Sequence, residues 1–182
     1  ARVAKPRLKY FKSQEIANTV WAFASAGHTS PELFQAIAKV ARSRLRDFKP
    51  QELANTLWAF AAARHASPAL FDALAAVAEP RLKDFKSQEL TNTLCAFATA
   101  GHASPELFHA IAEEAKPRLK EFNSQDLANS VWAFATARHV SPELFQAIAR
   151  AAKPRAKDFT PQGLANMVWA FAAAGHARAL WC

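Results

Sequence analysis

The sequence predicts an all-α protein, an α-solenoid in which stacked helix-turn-helix repeats form a right-handed superhelix. A segment recurs at intervals of 37 residues, and its copies begin at Gln14, Gln51, Gln88, Gln125 and Gln162. A period in this range is typical of repeat arrays. The 182 residues include only four Gly and one Tyr, a composition that favours helices over strands. One short helical pair cannot bury its whole apolar surface, so we expect neighbouring pairs to stack.

The period divides the sequence into a single array, residues 1–182. Residues 1–10 are predicted to be the tail of a preceding repeat, and four complete repeats follow at 11–47, 48–84, 85–121 and 122–158. Residues 159–182 form a partial repeat. We expect the array to be a piece of a longer one.

Each unit opens with a helix, here called helix A. Ser13, Ser87 and Ser124 are predicted N-caps, and Thr160 is predicted to cap a helix whose first residue is Pro161. The helix should end where a left-handed residue is tolerated, at Gly27, Gly101 and Gly175, with Arg64 and Arg138 at that place in the other units.

The second helix of each unit, helix B, is announced by Ser-Pro pairs at Ser30, Ser67, Ser104 and Ser141. Pro80, Pro117 and Pro154 should end or kink it, after which a short helical turn follows. Ser43 replaces the proline in the first unit, which predicts that this helix B runs straight.

The side of helix A opposite its apolar stripe carries one asparagine in every unit: Asn18, Asn55, Asn92, Asn129 and Asn166. Ala22, Ala59, Ala96, Ala133 and Ala170 flank them and predict a smooth groove. An amide donates and accepts hydrogen bonds, which suits base edges or an extended backbone. Two interpretations stay open, contact with a ligand or bonding between adjacent repeats.

Two variable series border this face. One is acidic, Glu15, Glu52, Glu89 and Asp126, with Gly163 in the last unit. The other carries hydroxyls, Thr19, Thr56, Thr93 and Ser130, with Met167 in the last unit. Variation at fixed places suits position-by-position recognition of RNA, and relaxed constraint on a solvated surface explains it as well.

A basic series recurs at the end of each unit, and the formal net charge is +8. The candidate phosphate-binding residues are Lys12, Lys49, Lys86, Arg44, Arg81, Arg118 and Arg155. Stacking would align these charges along one edge, where a phosphate backbone could meet them repeatedly. A solvated face is the alternative, and Asp47, Asp84, Glu121 and Asp158 would neutralise part of the edge.

Aromatic residues, histidines and cysteines receive structural interpretations. Trp21, Trp58, Trp132 and Trp169 flank the apolar stripe and are predicted to lie in the core, with Cys95 as a small buried substitute; stacking platforms for bases are the alternative. His28, His65, His102, His139 and His176 are predicted to be capping or loop residues, because equivalent atoms of neighbouring repeats stand too far apart to share a metal ion. We expect no metal and no cofactor. We also expect no enzyme, since an active site is one asymmetric constellation and this pattern repeats.

The segment Phe48-Lys49-Pro50-Gln51-Glu52-Leu53-Ala54-Asn55-Thr56-Leu57-Trp58-Ala59-Phe60-Ala61 resembles the signature of octotricopeptide repeats. The related heptatricopeptide repeats have the 37-residue length seen here. The resemblance implies a chloroplast or mitochondrial RNA-binding protein that acts in transcript maturation, stability or translation. It also implies segments beyond this sequence, such as a transit peptide or a RAP domain. Cys95 departs from the tryptophan of the signature.

The function predicted is binding of single-stranded RNA by the helix A face and the basic edge. Other proteins of an organellar RNA complex are the further partners expected, and neither a membrane nor a small-molecule substrate is. The alternative is a HEAT or armadillo-like scaffold, in which the asparagines clamp the main chain of an extended peptide. The acidic series would then favour a basic peptide.

Overall fold

The structure, a computed structural model, describes residues 5–65, 67–139 and 141–176. Within these residues the chain is helical throughout, and the predicted all-α solenoid is confirmed. The A helices are α1 (Ser13–Ser25), α3 (Pro50–Ala62), α5 (Ser87–Ala100), α7 (Ser124–Thr136) and α9 (Pro161–Ala173). The B helices are α2 (Pro31–Arg42), α4 (Pro68–Ala78), α6 (Pro105–Ala115) and α8 (Pro142–Ala152). Residues 1–4 and 177–182, with the predictions that fall on them, lie outside the described residues.

Two layers of helices make up the stack. In the first layer each A helix packs directly on the next, from α1 through α9. In the second layer the B helices are separated by 3-10 segments, at Lys5–Tyr10, Leu45–Asp47, Glu79–Asp84, Lys116–Glu121 and Lys153–Asp158. Each B helix packs on the 3-10 segment that precedes it. The A layer is therefore a continuous helical surface, whereas the B layer is interrupted; the hand of the superhelix stays a prediction.

Small residues let the A helices approach one another. Ala59, Ala96, Ala133 and Ala170 are almost completely buried. They fill the interface between A helices, so the predicted groove of small residues is wrong for these four positions. Each interior A helix has another A helix on both sides. Residues outside the apolar stripe must therefore also pack between A helices. Thr91 and Ser130 also meet there, with their hydroxyl oxygens 3.2 Å apart.

Paired phenylalanines join each B helix to the next A helix. The rings of Phe34 and Phe60 stand edge to face with their centroids 5.1 Å apart, a favourable aromatic geometry. The same pair recurs as Phe71 with Phe97, Phe108 with Phe134, and Phe145 with Phe171. One aromatic contact therefore joins each of these B helices to the A helix that follows it.

The histidines close the helix A ends, as predicted. The backbone N–H of His65 donates to the carbonyl of Phe60, and Arg64 before it adopts a left-handed φ of 51°. This is the Schellman arrangement, in which the residue after the left-handed one packs on the last helical turn. The His65 ring lies 5.8 Å from Phe60 and 5.5 Å from Phe34. Burial lowers the pKa of His65, which favours the neutral imidazole.

The helix A starts differ from the prediction. Ser13, Ser87 and Ser124 are the first helical residues, not the caps, and the cap positions are Lys12, Lys86 and Asn123. The reason is that the N–H of the cap residue donates to the acid three residues later, as Lys12 does to Glu15 over 2.8 Å; among these three caps, only the side chain of Asn123 also accepts a bond in return. Thr160 is confirmed as a cap, because its hydroxyl accepts from the N–H of Gly163.

The B helix ends follow the prolines, with one correction. The helix α4 ends at Ala78 and a 3-10 segment begins at Glu79, as Pro80 predicts. In the first unit the prediction of a straight helix is wrong, because α2 ends at Arg42. There the hydroxyl of Ser43 donates to the carbonyl of Val40 and caps the end instead.

In three of the four complete units an arginine ties the end of the unit to its beginning. Arg118 donates to the carbonyl of Phe85, 33 residues earlier, over 2.7 Å. Equivalent bonds join Arg44 to Phe11 and Arg155 to Phe122. Arg118 also pairs with Glu114 and Glu121, at 2.9 and 3.2 Å. We name this contact the arginine clasp.

Replacing Arg118 by Gln should lower the free energy of unfolding by about 2 kcal/mol, because a charge-assisted hydrogen bond between the two ends of a unit is lost. Arg7 is the matched control: it holds the equivalent place but is exposed. We therefore expect Arg7→Gln to change the free energy by less than about 0.5 kcal/mol. Urea unfolding followed by circular dichroism measures both. Equal effects of the two substitutions would contradict the clasp.

Candidate nucleic-acid interface

The solvent-facing line of helix A runs through Gln51, Asn55, Trp58 and Ala62. These residues follow one another at spacings of four, three and four, which places them on one face. The glutamines are exposed in every unit, at Gln14, Gln51, Gln88, Gln125 and Gln162. The asparagines are partly exposed at Asn55, Asn92, Asn129 and Asn166, and exposed at Asn18. Side-chain amides thus form two parallel rows across the A layer.

The amides of neighbouring helices share one groove between α7 and α9. It encloses about 320 Å³ and is lined by the amides of Gln125, Asn129, Gln162 and Asn166. The hydroxyl-bearing Ser124 and Thr160 complete its polar wall. Gly163 also lines it and adds no side chain where the other repeats have an acid. Such a groove offers both donors and acceptors without a net charge, which suits the edge of a nucleobase.

The tryptophans lie in the same line, at the border of the core. Trp58 and Trp132 pack partly on the core and are partly exposed. Trp21 and Trp169, on the first and last A helices described, are 47% and 49% exposed. The rings of Trp21 and Trp58 are 6.3 Å apart between centroids. The prediction of core tryptophans is therefore wrong for Trp21 and Trp169, whose helices have one described A-helix neighbour each, and holds only in part for Trp58 and Trp132.

Cys95 holds the tryptophan position in the third unit. Its thiol contacts the carbonyl of Asn129 on the next A helix, with sulfur and oxygen 3.7 Å apart. Burial, reinforced by the charge of Asp126, raises the pKa of Cys95 to about 12. The group is therefore a protonated thiol, and its weak donor is directed across the repeat boundary.

The two variable series belong to the structure of helix A itself. Thr56 is completely buried, and its hydroxyl donates to the carbonyl of Glu52. Thr19 and Thr93 bond in the same way, and Ser130 faces Thr91. The acids Glu15, Glu52, Glu89 and Asp126 accept the N–H groups of Lys12, Lys49, Lys86 and Asn123. Burial also raises the pKa of Asp126. The buried Thr56, Thr93 and Ser130 therefore offer no surface to a ligand.

The basic series separates into two groups. In the first group the guanidinium donates to the carbonyl of an arginine clasp and pairs with a neighbouring acid; its members are Arg44, Arg118 and Arg155. Arg81 is the exception, because its Nη1 is buried without a hydrogen-bond partner. Exposed cations at Lys12, Lys49 and Lys86 stand at the starts of their A helices. Lys9, Arg46, Lys83, Lys120 and Lys157 are exposed nearby on the linking segments. We call these two exposed sets the lysine edge.

The lysine edge and the amide rows lie on the same helices. Lys49 precedes Asn55 by six residues, which is about 9 Å along the helix axis. A chain crossing the A helices could therefore keep its charged groups at the edge and its side groups over the amides. Sequence reasoning missed the glutamine row, although its spacing of four from each asparagine was the signal that could have revealed it.

Two other kinds of site were sought in residues 5–65, 67–139 and 141–176. No cluster of His, Cys, Asp and Glu there could hold a metal ion. No helix in these ranges has the length and apolar character to cross a membrane.

Models of three protein families match parts of the chain. The model for the FAST kinase-like protein, subdomain 1, matches residues 16–74, and a family of unknown function matches residues 8–20. No curated protein sequence matches the chain closely enough to count as a relative. The model for the RNA-editing substrate-binding complex 6 protein matches residues 68–179, more than half of the chain. The chain therefore belongs to the RNA-editing substrate-binding complex 6 protein family.

Proposed function

We propose that this chain is a module for binding single-stranded RNA, without catalysis of its own, within a larger organellar factor that acts on RNA stability, processing or translation. The bases of the RNA would contact the asparagine and glutamine rows of the A layer, and the phosphates of the RNA would contact the lysine edge. The family name supports RNA as the ligand class and a multiprotein complex as the setting.

The observation that carries the proposal is the separation of charges along the A layer. Glu52 and Asp126 are buried and bonded to the main chain at the helix starts. Lys49 and Lys86, at equivalent helix starts, remain exposed. The exposed lysines, together with the net charge of +8, would attract a polyanion such as RNA, although Glu15, Asp47, Asp84, Glu121 and Asp158 are exposed as well and offset part of this charge.

A peptide scaffold is the second candidate. It is favoured by the shared row of Asn55 and Trp58, because an amide and an indole together can hold an extended main chain. The charges, however, change the expected partner. With Glu52 and Asp126 buried and the lysines exposed, such a peptide would be acidic, in contrast to the basic peptide that the sequence suggests.

The proposed compartment is an organelle. The resemblance of the sequence to octotricopeptide repeats is compatible with either the chloroplast or the mitochondrion. The matched families favour the mitochondrion. Fractionation of cells that express the complete protein with a C-terminal tag would test this assignment.

RNA binding should weaken with salt in proportion to the phosphates neutralised. With about four contacts to single-stranded RNA, the slope of log affinity against log salt should be about −3. Replacing Lys49 and Lys86 by Gln should halve that slope and lower the affinity about 25-fold at 0.1 M salt, provided the affinity at 1 M salt is unchanged. Fluorescence anisotropy with a labelled oligouridylate measures both quantities.

The matched control replaces Lys39 and Arg150 by Gln, since both are exposed cations on B helices. This control should leave the salt slope within error of the wild type. A slope near zero for the wild type, or equal losses in both double variants, would count against the lysine edge as the phosphate site.

The asparagine row should contribute to affinity without supporting the fold. Replacing Asn55, Asn92 and Asn129 together by Ala removes three partly exposed amides from the A layer. We expect RNA affinity to fall at least tenfold, since hydrogen bonds to bases would be lost at three positions. Anisotropy measures affinity, and urea unfolding measures stability.

Gln35 and Gln146, exposed amides on α2 and α8, provide the control for this experiment. Their replacement by Ala should alter neither quantity. If the triple variant instead loses its fold, the asparagines hold neighbouring repeats together, and the alternative interpretation of the row is correct.

A further inference from the structure

The tryptophan position forms a third row across the A layer, between the amides and the end of helix A. It is occupied by Trp21, Trp58, Cys95, Trp132 and Trp169. In the interior units the indoles are partly exposed, and the part that is covered packs on the core. The row therefore contains four aromatic side chains and one gap, at Cys95.

We infer that the indoles are stacking platforms for bases of the bound RNA, and that Cys95 leaves the third platform missing. This inference rests on the RNA-binding function proposed above. It concerns which groups hold the bases, whereas the earlier proposal assigns the amides and the lysine edge.

The half-buried position of each indole is what makes it suitable. Packing of Trp58 and Trp132 on the core restricts their rotamers before a ligand arrives, so ordering them on binding costs little entropy. Aromatic platforms accept every base because each base has a π face. A row of indoles thus supports binding that tolerates different sequences.

The amides are correctly placed to serve the same bases. Asn55 precedes Trp58 by three residues, so their side chains are neighbours on the helix surface. A base lying on the indole would have its edge within reach of an amide. The phosphates would lie toward Lys49, about 13 Å from Trp58 along the helix axis.

The contact of Cys95 shows the direction in which this row points. Its sulfur meets the carbonyl of Asn129, on the next A helix. The side chain at this position therefore spans the boundary between repeats. In the other units an indole at this position would support one base per boundary, which is the spacing that helical repeats commonly use for RNA.

The gap at Cys95 divides the platform into two parts. Trp21 and Trp58 are in contact on one side of it. Trp132 and Trp169 continue the row on the other side. A base over the third unit would be held by amides alone, because a thiol offers no π surface on which to stack.

The decisive variant is Cys95→Trp in the full chain, since four other units already accommodate tryptophan at this place. Binding of an eight-nucleotide oligouridylate should tighten about tenfold, the gain expected for one more stacked base. The tryptophan fluorescence quenched on binding should also increase. Cys95→Leu is the matched control, because it fills the site without a stacking face, and it should leave both quantities unchanged.

A second pair of variants keeps the inference testable if the added indole disturbs folding. Trp132→Leu should weaken binding about tenfold, whereas Trp132→Phe should retain most of the affinity. An oligomer of the same length made of abasic ribose phosphate should bind weakly to the wild type and should quench no tryptophan fluorescence.

The outcomes separate this inference from the proposed function. If the wild type binds RNA with the expected salt slope, but folded Cys95→Trp and Trp132→Leu bind unchanged, the platforms are refuted and the RNA-binding function stands. Equal binding of the abasic oligomer would refute the platforms in the same way. If the wild type binds no RNA, or an acidic peptide produces the same quenching, the proposed function fails as well.

Discussion

The direct contact of one A helix with the next is the interaction on which the whole molecule depends. It requires small side chains at one flank of every A helix, as at Ala96 and Ala133, and apolar residues along the stripe. Close approach fixes the distance between repeats and keeps their equivalent residues in rows. The B helices pack mainly on the 3-10 segments between them and contact each other far less than the A helices do. The regular surface is therefore a property of the A layer.

The polar groups of the A layer divide into those that are engaged by contacts within the fold and those that are left in contact with solvent. Acids such as Glu52 and Asp126 are engaged by backbone N–H groups at the helix starts. Arginines such as Arg118 are engaged by a main-chain carbonyl and by acids. Lysines, amides and part of each indole are left in contact with solvent. At the start of the second A helix, for example, Glu52 is turned inward whereas Lys49 stays in contact with solvent.

Much of the fold could be predicted from the sequence because its signals are local. The period, the Ser-Pro pairs and the glycines at Gly27, Gly101 and Gly175 act within a few residues of where they stand. The helix A caps were misplaced because lysine is a poor cap by its own side chain, and the acid three residues later supplies the bond. The exposed face was also misjudged. A helical wheel of one repeat shows which residues share a face, but it does not show which flank of the helix the neighbouring repeats cover. The neighbouring repeats cover Ala59 and leave Trp58 partly exposed, the reverse of the prediction.

The arginine clasp has a consequence for how such an array can be assembled. Its acceptor is the carbonyl of the phenylalanine that opens the unit, a main-chain group that every residue type supplies. The bond joins the two ends of a single 37-residue unit and needs no particular partner in the adjacent one. A unit closed in this way can be duplicated, exchanged or moved along the array without redesign of its neighbours. The solvent-facing residues can then diversify independently in each copy, while the spacing between copies stays constant.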